Sequence, residues 1–134
     1  MTTTAITSDK YNNFESFEAK KLDVFIQLGK DLDEDVLSEM LYTYFQTTEE
    51  TIQNFKAHFA NKDFKSIAHL AHKLKSSSGQ LGLQKLHQLC TDLENFVHSE
   101  SSDNVELNVN KYLTLIFDET HLTTALLSNF LKAA

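Results

Sequence analysis

A chain of 134 residues is long enough to bury one core and too short to divide into two convincing ones, so a single domain is expected. Its composition, 41% hydrophobic and 23% charged without a long apolar run, is that of a soluble globular protein and excludes a membrane-spanning helix. A net charge of −7 argues against nucleic-acid binding, which needs a basic stripe to neutralise phosphates.

Residues 1–10, MTTTAITSDK, lack both the basic start and the apolar centre of a targeting signal. They read as a frayed end, giving a flexible tail over 1–15 and a folded domain over 16–134. A cytoplasmic protein is the expectation. The single cysteine, Cys90, can form no internal disulfide and no paired-cysteine metal site, which agrees with a reducing compartment.

Proline is absent and only three glycines occur, at 29, 79 and 82, so long uninterrupted helices are favoured. A short amphipathic helix is predicted over 17–28, ending at Gly29 as a C-terminal cap. The acids of DLDED then supply the N-cap of a second, long helix, whose stripe includes Val36, Leu37, Leu41, Tyr44, Ile52, Phe55 and Phe59. Asn61 or Asp63 caps the third, in which Phe64, Ile67, Ala71, Leu74, Ser78 and Leu81 alternate by three and four. Beyond Gly82 the same alternation returns in Leu83, Leu86, Cys90, Leu93 and Val97. A polar loop, HSESSDN, precedes a last helix from 105 to 131 with a weak spot at DETH, where it is predicted to kink or end. The simplest way to bury four such faces across short loops is an all-α, antiparallel up-down-up-down four-helix bundle, capped by the short N-terminal helix.

On the third helix, at about 100° per residue, His72 lies roughly 140° from the centre of the apolar stripe and so faces solvent. Gly79, Ser76 and Lys75 fall within roughly 20°, 40° and 60° of it. Most exposed histidines are merely solvated. Here, however, a cation, a small hydroxyl and a missing side chain surround the ring. An exposed imidazole, with an unperturbed pKa near about 6.5, is largely neutral at cytosolic pH and can take a phosphoryl group without a separate base. Lys75 would neutralise phosphoryl oxygens, while Gly79 and Ser76 keep the face low for a partner.

Residues 71–94, AHKLKSSSGQLGLQKLHQLCTDLE, resemble the signature of histidine-containing phosphotransfer (HPt) domains. That signature is roughly A-H-x-L-K-G-small-small-x-x-L-G-A-x-x-L-x-x-x-C-x-x-L-E. Ala71, His72, Leu74, Lys75, Ser77, Ser78, Leu81, Gly82, Leu86, Cys90, Leu93 and Glu94 fall on it. Residues 28–55 and 61–72 fit the same family more loosely. The resemblance implies that His72 is phosphorylated, usually on Nε2, and that Lys75 steadies the phosphoryl group. It also implies a carrier between receiver-domain aspartates of a multistep two-component relay, with response-regulator receivers and a hybrid sensor kinase as partners. No cofactor of its own is implied, the Mg²⁺ belonging to the receiver. The sequence departs from the pattern at Ser76, where glycine is usual, and at Leu83, where alanine is usual.

Other readings of the same residues are weaker. A metal-binding bundle would need Glu-x-x-His pairs or His-Glu-x-x-His, and neither is present. A sensor kinase would need a glycine-rich nucleotide region, so neither ATP use nor autophosphorylation is expected. A binding module that docks on a receiver or kinase without being phosphorylated would have no need of both His72 and Lys75. Cys90 reads as core, Gly82 as the turn between the third and fourth helices, and His69 as an exposed neighbour of the site. His58, His87, His98 and His121 show no convergence. A monomer is expected, because the core uses one face of every helix.

Overall fold

The computed structural model describes residues 8–100 and 104–131. It holds five α-helices: α1 (Asp23–Leu32), α2 (Val36–Ala60), α3 (Phe64–Gln80), α4 (Gln84–His98) and α5 (Val105–Ser128). Two short 3₁₀ turns, Ser8–Tyr11 and Ala19–Leu22, precede them. Each long helix packs on the next, and α5 closes the ring against α2. The expected four-helix bundle is therefore formed, with α1 laid against α2 as an additional element. No helix among the described residues is long and apolar enough to cross a membrane.

The helix starts follow local chemistry. Asp35 and Asp63 cap α2 and α3 in the same way, each carboxylate accepting from the backbone N–H three residues on and from that residue's hydroxyl. At the far end of α3, Gly82 adopts a left-handed φ of 76°, and Leu83 N–H returns to the Ser78 carbonyl at 2.9 Å. The predicted stripes meet in one core, in which Leu41, Phe55, Ile67, Ala71, Leu86, Cys90, Leu93, Val109 and Ile116 are all fully buried.

Four expectations need correction. Gly29 does not stop α1: the helix runs on to Leu32, and Asp33 takes the left-handed position. Gly29 is small for another reason, since a Cβ there would stand 2.5 Å from the Glu34 carbonyl oxygen as the chain turns back. Nor is all of 1–15 a free tail. Tyr11 is fully buried and donates to Asp92 Oδ2 at 2.6 Å, while Lys85 N–H bonds the Glu15 carbonyl. The part of the expected tail before residue 8 lies outside the described residues.

The helix also passes through DETH without a break. Glu119, Thr120 and Thr123 face inward there, and the threonine hydroxyls bond carbonyls of their own helix. Polar side chains at core positions erase the apolar period without disturbing the helix. Finally, α1 does not use all its apolar surface in the core, because Val24, Leu28 and Leu32 are exposed.

Candidate functional site

The tight turn at Gly82 folds α3 and α4 into an antiparallel hairpin, so residues equidistant from the turn meet across it. His72 and Glu94, each eleven residues from Leu83, are such a pair. The His72 side chain is 59% exposed, and its Nδ1 lies 2.9 Å from Glu94 Oε2. Lys75, one turn further along α3, reaches the other carboxylate oxygen, with Nζ 2.9 Å from Oε1. Both oxygens of a largely buried carboxylate are thus occupied by groups from the neighbouring helix.

The electrostatics follow from these two bonds. The hydrogen bond from Lys75 holds the Glu94 carboxyl below its usual range; the bond from His72 adds to this, against an opposing push from burial. Glu94 is accordingly an anion at neutral pH. An ionised carboxylate only accepts, so His72 Nδ1 carries the hydrogen and donates it. In the neutral form of the ring, the remaining nitrogen, Nε2, keeps its lone pair. The bond that orients the ring thereby sets its tautomer, with the hydrogen on Nδ1.

The remaining predicted site residues are placed differently. Ser76 and His69 are exposed on the same face of α3, one turn either side of His72. Gly79 is not an open floor for a partner, as its place near His72 on the helical wheel implied. A Cβ at Gly79 would stand 3.0 Å from Nδ1 of His87, whose ring crosses from α4 and fills the notch. His87 Nδ1 lies 2.9 Å from the Lys75 carbonyl oxygen and donates to it. Cys90 is fully buried, and burial pushes its thiol up, away from thiolate chemistry.

Three participants carry no role in the sequence reading: Glu94, His87 and His98, whose Nε2 is 3.7 Å from Glu94 Oε2. Glu94 falls on the quoted signature, but its function depends on the register between two helices. That register was available, since the turn at Gly82 fixes which residues are equidistant from it. Among the described residues, no group of three or more His, Cys, Asp or Glu side chains is arranged to hold a metal ion.

Comparisons with known proteins bear on the same segment. The profile of the Hpt domain matches residues 39–128, from early α2 to the end of α5. The chain is 30% identical over 83 residues to multistep phosphorelay regulator 1 of Schizosaccharomyces pombe, covering 62% of this chain and 28% of that protein. It is 31% identical over 78 residues to phosphorelay intermediate protein YPD1 of Candida albicans, covering 58% of this chain and 42% of that protein. The aligned part is therefore under half the length of either relative. No solved structure matches the chain.

Proposed function

The chain belongs to the Hpt domain family, and from that premise we propose that it is the histidine phosphocarrier of a multistep phosphorelay, with His72 as the residue that receives and releases the phosphoryl group. The observation that carries this reading is the single bond from His72 Nδ1 to Glu94, which leaves Nε2 as the lone-pair nitrogen of an exposed ring.

The transfer balances without an added base. The Nε2 lone pair attacks the phosphorus of an aspartyl phosphate on a receiver domain, an N–P bond forms, and the P–O bond breaks to return the aspartate as a carboxylate. Both ring nitrogens are then substituted, and the ring is cationic. The Glu94 carboxylate, already bonded to Nδ1–H, stabilises that charge where it develops. Lys75 uses one of its three ammonium hydrogens on Glu94 and has two left for phosphoryl oxygens. Reversal regenerates the neutral ring, so the group can pass on to a second receiver.

The surrounding surface suits an anionic group. Helix α3 contains Lys65, Lys73 and Lys75 and no acidic residue, in a chain whose net charge is −7. The proposed partners are response-regulator receiver domains and a hybrid sensor kinase. The Mg²⁺ needed for aspartyl-phosphate chemistry comes with the receiver, and the carrier works as a cytoplasmic monomer without ATP. The test is transfer of labelled phosphoryl from phosphorylated receiver domains to the wild type and to His72→Gln. Acid-labile label on the wild type alone is expected. Equal labelling of a folded His72→Gln protein would refute His72 as the acceptor.

A further inference from the structure

The α3–α4 hairpin meets at two points that mirror each other. On α3, His72 and Gly79 are seven residues apart and share a face; on α4, His87 and Glu94 are seven apart and share the face opposite. At one point α3 supplies the ring and α4 the carboxylate that receives it. At the other, α4 supplies the ring of His87 and α3 the notch at Gly79. Lys75 lies between them and is held from both directions. Its ammonium bonds Glu94 at 2.9 Å, and its backbone carbonyl accepts from His87 Nδ1 at 2.9 Å and from the Ser78 hydroxyl at 3.1 Å.

We infer that His87 is a positioning residue for phosphoryl transfer: lodged against Gly79 and bonded to the Lys75 carbonyl, it fixes the register of α3 on α4 and so holds Lys75, Glu94 and the His72 ring in their transfer geometry. The inference rests on the reading of His72 as acceptor. A slide of α3 along α4 would tilt the bond from His72 Nδ1 to Glu94 away from its line, and such a bond weakens steeply as its angle closes. Interlocked apolar side chains oppose such a slide, but being non-directional they do not fix the angle of a hydrogen bond. The His87 bond is directional and lies two helical turns from Glu94 on the same face. The pair also explains a residue that helical spacing alone misplaces, since any side chain at 79 would meet the His87 ring.

Five proteins test this: the wild type, His87→Leu, His87→Asn, Gly79→Ala and the His87→Leu/Gly79→Ala double variant. Phosphoramidate serves as a small phosphodonor that needs no docking partner, and ¹⁵N shifts of the His72 ring report how far its hydrogen is held on Nδ1. His87→Leu should slow labelling of His72 by roughly tenfold, in line with a sub-ångström to ångström misplacement of reacting groups. It should also move the ring shifts toward a mixture of tautomers. Asparagine can place an amide N–H near the position of Nδ1, so His87→Asn should recover most of the rate. Gly79→Ala, which displaces the ring from the other side, should act in the same direction as His87→Leu, and the double variant should be no slower than the slower single one. If His87→Leu and Gly79→Ala lower only the melting temperature and leave both rate and ring shifts unchanged, the inference is overturned. A wild type that takes no phosphoryl from the donor overturns the acceptor reading instead, and the ring shifts then decide the role of His87 independently.

Discussion

Two glutamates in this bundle face lysines from a neighbouring helix, and their environments drive them in opposite directions. Glu94 on α4 has a partner on each oxygen at 2.9 Å, and its carboxyl is held below the usual range. Glu119 on α5 is 4% exposed and meets Lys85 only at 3.9 Å, while its Oε2 is buried without a hydrogen bond. Burial pushes its carboxyl up, against weaker help from the Ser16 hydroxyl and the Lys85 ammonium. A buried carboxylate stays charged when directed donors replace its water, and a lysine at the edge of contact is a poor substitute. The first arrangement is suited to stabilising a charge that forms during transfer. The second is a cost that the fold carries.

The largest effect should come from breaking the first site. Glu94→Gln keeps the size and one acceptor but removes the charge that fixes the His72 tautomer and offsets the developing imidazolium. Phosphoryl transfer should fall by about ten- to hundredfold, as when the carboxylate partner of a functional imidazole is neutralised elsewhere. Single-turnover transfer from a phosphorylated receiver, with circular dichroism as a check on folding, measures this. A wild-type rate would make Glu94 a bystander.

A smaller effect on stability sharpens the contrast. Because folding depresses the Glu94 pKa, its contribution is present above the unfolded value near 4.5 and is lost as pH falls through the folded one. Because folding raises the Glu119 pKa, its contribution is full below about 4.5 and is lost as pH rises through the higher folded value. Thermal melts across pH should therefore respond oppositely. Glu119→Gln should remove the part of the stability lost on the way from mildly acidic to neutral pH, and Glu94→Gln should remove part of the loss on acidification. Identical pH dependence in the two variants would show that the carboxylates are equivalent.

Much of this architecture was legible in the residues. The three-and-four alternation places α2, α3 and α4 and their buried faces, and it leaves His72 outside. What periodicity could not supply was anything decided between elements. Gly29 and Gly79 look like a cap and an open floor, yet each is small because a neighbouring group occupies the space: the Glu34 carbonyl in one case and the His87 ring in the other. Tyr11 sits in a segment with no helical pattern, and its place in the core depends on Asp92, 81 residues away. The inward-facing Glu119, Thr120 and Thr123 hide a continuous helix, because a pattern of hydrophobicity cannot register polar side chains at core positions, whether satisfied by their own helix, as the two threonines are, or not, as with Glu119. Glu94 stood in the quoted motif, and only its distance from the Gly82 turn marks it as the partner of His72.

Whether Glu94 selects Nε2 of His72 as the phosphoryl-bearing nitrogen can be read from NMR of the phosphorylated protein with ¹⁵N-labelled histidine. Phosphorus–nitrogen coupling is expected at His72 Nε2, with Nδ1–H retained and hydrogen-bonded. Coupling at Nδ1, or at any other histidine, would contradict that selection.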